Sequence, residues 1–332
     1  MLRLIDWQGL CLVDESAQPG GSFKWRGILP QVVDLRDVAE RLCSPQVVTF
    51  SSGNHGLAVG LAARQCGLQA TVVVPQWIER DKLKLLRQIG CRVAFGGDSA
   101  LACEAAAQQS ADTTGAMLLH PFRNRRQIAG YTSLWAELTH EFPEGADIIV
   151  PVGAGGLLAA GVLYRIATRA RYHLIGVEPD MCATLGAALS DGKPVTLATR
   201  SLFAPGLNVN ETPWEVLELV TRANCLDLLR VSDQDMAAAS SIMALAGMAI
   251  DPAASAAVAG ALFRSIRRRY RDLVVVITGR GATVSAERLR EQGLLTLDDR
   301  DLARLALGKP AGKKAESDQT STQFRRALCI KA

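Results

Sequence analysis

From residue 47 to residue 179 short apolar runs alternate with stretches of helical spacing, and this narrows the possible folds more than any other feature of the chain. VVTFS (47–51), ATVVVP (70–75), CRVAF (91–95), AMLLH (116–120), DIIVPV (147–152) and YHLIGVEP (172–179) have the length and β-branched content of strands. Between them LAVGLAARQCG (57–67), the stretches 79–90, 99–111 and 124–141, and LLAAGVLYRIATRA (157–170) carry helical spacing. Strands joined through helices run parallel with right-handed crossovers, so the expected class is α/β with an open parallel sheet. Leu10–Val13 adds an early strand and DLVVVITG (272–279) a late one, with helices near 232–247 and 252–268. A further helix is expected after Gly27, started or broken by Pro30. Residues 190–231, with Pro194, Pro205 and Pro213, read as loop-rich.

The 332 residues are 48% hydrophobic, enough for a large core in two lobes. No apolar run approaches the roughly 18 residues that span a bilayer, and the amino terminus lacks the apolar core of a secretion signal. The eight cysteines stand singly with no C-x-x-C pair, which excludes a zinc framework and points to a reducing cytoplasm. The net charge of +4 resides entirely in the stretch from Gly308 onward, which is also too polar to pack and is expected to be disordered. A neutral body excludes a nucleic-acid footprint. The locally basic RSIRRRYR (264–271) reads as a solvated helix end.

Four segments carry chemistry. In Gly20-Gly21-Ser22-Phe23-Lys24-Trp25-Arg26-Gly27 a glycine pair, a hydroxyl and an aromatic ring precede the only lysine of the first 80 residues. An amine in a glycine-lined, partly desolvated place is nucleophilic toward carbonyls; a solvated lysine after a turn is the bland alternative. Ser51-Ser52-Gly53-Asn54-His55-Gly56 joins a strand to a helix and suits a substrate carboxylate, with an ordinary helix cap as the alternative and a structural role for His55. VPVGAGGLL (150–158) makes a phosphate cradle of backbone N–H groups. It is not a dinucleotide fingerprint, because Leu158 stands where the third glycine belongs, and no Gly-Lys-Ser/Thr makes it a P-loop. Thr278-Gly279-Arg280-Gly281 places a hydroxyl at the end of the last strand. An amine, a carboxylate loop, a phosphate cup and a hydroxyl together suit pyridoxal 5'-phosphate.

From about residue 12 to residue 285 the sequence resembles the fold type II (tryptophan synthase β-like) pyridoxal-phosphate enzymes, nearest to their serine/threonine dehydratase and serine racemase branch. The resemblance implies that Lys24, after Phe23, bears the cofactor and that Asn54 touches its ring hydroxyl. It further implies that Ser51, Ser52, Gly53, Asn54 and His55 hold the substrate, Gly153, Ala154, Gly155, Gly156 and Leu157 the phosphate, and Thr278 the ring nitrogen. Ala154 departs mildly from the four-glycine form of the phosphate loop. Ser52 matches the acid/base serine of the racemases. Glu178 matches a divalent-metal ligand of racemase-like members, although their second carboxylate falls on Thr184 here, so no metal is expected. Asp251-Pro252 resembles a Glu-Pro near the cofactor ring.

Family members usually carry a further helix and strand before the lysine strand, so an amino-terminally shortened fold is expected. The expected division is a large cofactor lobe of 1–45 with 124–307, a small lobe of 46–123, and a basic tail of 308–332. The implied activity is β-elimination from an amino acid, an ammonia-lyase reaction giving a 2-keto acid and ammonia, in a cytoplasmic homodimer. The alternatives are a β-replacement synthase acting on an activated serine, or a low-activity cofactor-binding partner subunit. Arg123 and Pro205 to Asn208 are candidates for the substrate side-chain pocket.

Overall fold

The computed structural model describes residues 2–39, 46–281 and 284–308. The basic tail therefore lies outside the described residues apart from Gly308. The chain folds as two units, Met1–Ser16 with the chain from Trp135 onward, and Ala17–Leu134.

Ten strands are present among the described residues: β1 (Leu4–Trp7), β2 (Leu10–Asp14), β3 (Gln46–Phe50), β4 (Gln69–Val74), β5 (Arg92–Phe95), β6 (Met117–Leu118), β7 (Ala146–Pro151), β8 (Tyr172–Pro179), β9 (Leu226–Val231) and β10 (Asp272–Ile277). The smaller unit holds a parallel sheet in the order β5-β4-β3-β6. The helices Lys24–Ala39 and Asn54–Gln65 cover one face through Ile28, Val32, Val59 and Ala62. The helix Ala100–Thr114 covers the other, packing Cys103 and Ala107 on Val48 and Val73. The larger unit holds the order β1-β2-β10-β7-β8-β9, parallel except for the edge strand β1. Strands β7 and β8 are buried along their whole length, which is why their sequences are unbroken apolar runs rather than alternating ones. The helices Asp233–Leu245 and Ser255–Phe263 line this core with Met236, Ile242, Ala256 and Val258.

The α/β class and both parallel sheets stand as the alternation implied. Three local expectations need correction. The lysine helix begins at Lys24 rather than after Gly27, and Pro30 sits inside it. Pro30 has no N–H to give the Arg26 carbonyl, and that oxygen lies 2.6 Å from where a Cβ on Gly130 would stand. Residues 190–231 contain the helix Trp214–Val220 and the edge strand β9, whose half-buried LDLLRV gives only a weak strand signal. The basic stretch is not a helix end: the helix stops at Phe263, and Arg264 donates to the Arg230 carbonyl at 2.6 Å while Arg268 reaches Asp147 at 3.3 Å. The units also divide differently from the expected lobes, because the helix Lys24–Ala39 packs on Asn54–Gln65 and carries 17–39 into the smaller unit together with 124–134.

Candidate active site

In the smaller unit the chain turns through Gly20 and Gly21, both near φ +75°, into a fully buried extended Ser22 and then the helix of Lys24. Two consecutive left-handed residues require glycine there. The close approach to the helix Asn54–Gln65 adds a second reason at Gly20, whose Cβ would lie 3.2 Å from Leu61. Lys24 is half-buried, with Nζ 4.9 Å from the centroid of the Phe23 ring and 5.9 Å from that of Tyr131.

The end of β3 leads into the second element of this unit. Ser51 Oγ accepts the Gly53 N–H at 3.1 Å, and Gly53 caps the helix whose first residues are Asn54 and His55. The first bond along that helix runs from Leu57 N–H to the Gly53 carbonyl, so the amides of the turn before it have no helical carbonyl upstream. Such a turn suits an anion, and the first turn contains no acidic residue. Ser52 is half-buried on the same turn.

The His55 imidazole lies inside the unit, where Nε2 meets Thr49 Oγ1 at 3.0 Å and the Leu119 carbonyl at 3.3 Å. Burial, aided by the positive charge of Lys24, pushes its pKa down to about 3. The ring is therefore neutral and structural, and only the backbone of His55 belongs to the anion turn. A histidine held neutral when folded but free to protonate when unfolded weakens the fold as pH drops below about 6.5. We expect about 2 kcal/mol less stability from this group at pH 5 than at pH 7. Denaturation midpoints at the two pH values should converge in His55→Asn; an unchanged gap would refute the assignment.

In the larger unit β7 runs into Gly153-Ala154-Gly155, and the helix Gly156–Thr168 starts from Gly155 at φ 81°. A Cβ on Gly155 would stand 2.8 Å from Val216, and one on Gly153 3.2 Å from Leu207, so neighbouring chain closes on both glycines. The first turn here also lacks acidic side chains. Thr278 follows β10 and is buried, next to the Asp251 N–H that donates to the Gly279 carbonyl at 3.0 Å. Asp251 Oδ1 accepts the Ala254 N–H at 2.6 Å, so its carboxylate caps the turn before Ser255–Phe263.

Glu178 is fully buried and raised to about 7 by that burial, against the pull of its bonds. Its two oxygens accept the Leu185 and Gly186 N–H groups at 2.8 and 3.0 Å. The carboxyl thus anchors the start of the helix Thr184–Asp191. No group of three metal-ligating side chains occurs among the described residues. Of the pocket candidates, Leu207 backs Gly153, whereas Asn208 is engaged at both ends with the Ser201 backbone and Arg123 lies beside Glu104.

Residues 4–279 match the family described as pyridoxal-phosphate dependent enzyme. The chain belongs to the pyridoxal-phosphate dependent enzymes. It is 31% identical over 252 residues to a serine racemase of Oryza sativa subsp. indica, covering 75% of this chain and 72% of the relative. It is 26% identical over 282 residues to the L-threonine ammonia-lyase of Thermotoga maritima, covering 85% and 69%. The solved structure of maize serine racemase superposes with a TM-score of 0.76 at 24% identity, over 88% of this chain and 91% of that one. The fold is that of the fold type II members.

The residues fit the cofactor of these pyridoxal-phosphate dependent enzymes. The acid-free helix start at Gly155 suits a phosphate dianion, and the half-buried Lys24 would offer an amine to an aldehyde. Thr278 supplies a neutral hydroxyl. Sequence reasoning missed Tyr131 and Gln127, which are buried beside Phe23 and Gly27; no motif links positions more than a hundred residues apart. No helix is long and apolar enough to cross a membrane among the described residues.

Proposed function

We propose that this protein is an ammonia-lyase that eliminates the β-substituent of a small hydroxy-amino acid such as L-serine or L-threonine. The observation that carries this is Lys24, a half-buried amine opening a helix in the same unit as the anion turn at Gly53–Asn54. When bound, pyridoxal phosphate supplies an electron-accepting ring conjugated to the substrate's α-carbon. Lys24 removes the α-proton, the anion turn holds the substrate carboxylate, and Gly153 to Leu157 hold the phosphate. The α C–H and β C–O bonds break, water leaves, and water then hydrolyses the enamine to a 2-keto acid and ammonia.

Thr278 supports elimination over transamination, because a neutral hydroxyl cannot hold a proton on the ring nitrogen as a carboxylate would. The ammonia-lyase from Thermotoga, aligned over 85% of the chain, supports the same reading. The reading also takes the protein to be a cytoplasmic homodimer.

Ser52 favours a second reading, racemisation. Its half-buried hydroxyl on the anion turn could serve as a second acid/base, and the rice relative is a racemase. One incubation distinguishes the two. With pyridoxal phosphate and L-serine or L-threonine, the purified protein is expected to release keto acid and ammonia in equal amounts. Formation of D-serine without keto acid would replace the proposal with the racemase reading.

A further inference from the structure

The first turn of the lysine helix rests on the helix Arg125–Glu141 more closely than ordinary side chains permit. A Cβ on Gly27 would stand 2.5 Å from Tyr131 Cε1 and 2.8 Å from Gln127 Cγ, and one on Gly130 would stand 2.8 Å from Gly27 Cα. Two glycines at the crossing bring the backbones together, and the Tyr131 ring reaches Phe23 with centroids 4.8 Å apart. Tyr131 is fully buried and fixed at its far end, its hydroxyl accepting a hydrogen bond from Gln127 Nε2 at 2.5 Å. Gln127 is held in turn by the Pro121 carbonyl and by Asn124 Oδ1. Asn124 donates to Gln31 at 2.6 Å, and Gln31 donates to the Gly27 carbonyl at 2.6 Å. The chain of bonds thus returns to the lysine helix.

We propose that Tyr131 is a positioning residue for Lys24, forming with Phe23 an aromatic seat that holds the ε-ammonium whenever that amine is not bonded to the cofactor. The proposal rests on the reading of Lys24 as the reactive amine. Ring faces attract a cation within about 6 Å, and both centroids meet that limit. A lysine that takes a proton from substrate becomes an ammonium in a half-buried place, where few waters can solvate it. The His55 ring, neutral and in electrostatic range, adds no competing charge. A tyrosine that merely filled the core would have no influence on where the amine rests, and this separates the two roles.

The test is the proton NMR shift of the Lys24 ε-methylene in full-length, carbon-13 lysine-labelled protein without added cofactor, assigned with Lys24→Arg. Ring currents should place it upfield of the other lysines. Tyr131→Phe, which keeps the ring, should retain the shift; Tyr131→Leu should lose at least half of it. With L-serine, Tyr131→Leu should lower kcat about tenfold with little change in KM, as expected when an oriented base is set loose. A folded Tyr131→Leu protein with an unaltered shift overturns the proposal. Should that variant fail to fold, Phe23→Leu reads the same seat from a half-buried ring, and an unaltered shift there also overturns it. Because the shift is read without cofactor or substrate, a wild type that shows it yet makes no keto acid would refute the lyase reading and leave the seat standing.

Discussion

Lys24→Ala is expected to abolish both keto-acid release and the absorbance of the lysine–cofactor link near about 400 nm. The chemical loss should be at least about 10³-fold, since on the proposed reading one substitution removes both the nucleophile that binds the aldehyde and the base that takes the α-proton. Alanine is the best helix former, and the lysine opens its helix rather than sitting in mid-core, so the fold should survive. Circular dichroism and the denaturation midpoint check that point. The absorbance spectrum with added pyridoxal phosphate checks the chemistry. Persistence of the band would move the cofactor to another lysine. Among the described residues the alternatives are Lys82, Lys84 and Lys193, of which Lys82 pairs with Glu79 at 3.1 Å on the surface and Lys193 with Asp191 at 3.7 Å. Lys84 sits on the same surface helix as Lys82, Arg80–Gln88, and none of the three follows a glycine pair and an aromatic ring as Lys24 does.

What could be read in advance follows from which signals are local. The buried strands β7 and β8 and the glycine turn between β7 and its helix lie within thirty-odd residues and announce themselves by unbroken apolar runs and small residues. The turn from β3 into the helix Asn54–Gln65 was legible for the same reason, its serines, glycine and asparagine being consecutive. Edge elements were not: β1 and β9 are half exposed, so their sequences alternate weakly, and the helix Trp214–Val220 is too short to show a period. The surroundings of Lys24 were also hidden. Phe23 is adjacent in sequence, but Tyr131, Gln127 and Gly130 come from a helix more than a hundred residues away, and nothing in their own spacing points back to residue 24. His55 shows the reverse difficulty. It stands inside a segment expected to bind substrate, yet its ring turns into the core toward Thr49.

Asp147→Ala should cost about 3 kcal/mol of stability and leave the lysine–cofactor absorbance of the folded protein intact. Asp147 lies at the amino end of β7, completely buried, and Oδ2 accepts the N–H groups of Arg269 and Tyr270 at 2.8 and 3.0 Å as well as Arg268 Nε at 3.3 Å. The residues Arg268–Tyr270 are thereby strapped to the amino end of β7. Arg269 continues the strap to Asp227 at 2.7 Å, and Asp227 also meets His173, which opens onto β8, at 2.9 Å. Removing one carboxylate leaves two backbone donors and a guanidinium without their buried acceptor, the kind of loss that single surface ion pairs never produce. The Gly145 turn beside it packs on the Tyr270 ring, so the released strap would also uncover apolar surface. The amino ends of the strands lie at the opposite edge from Gly153 and Thr278, which is why stability should fall without the cofactor link following it. An unchanged denaturation midpoint would mean that the strap contributes nothing; a folded variant that no longer takes up the cofactor would mean that this edge governs the site after all.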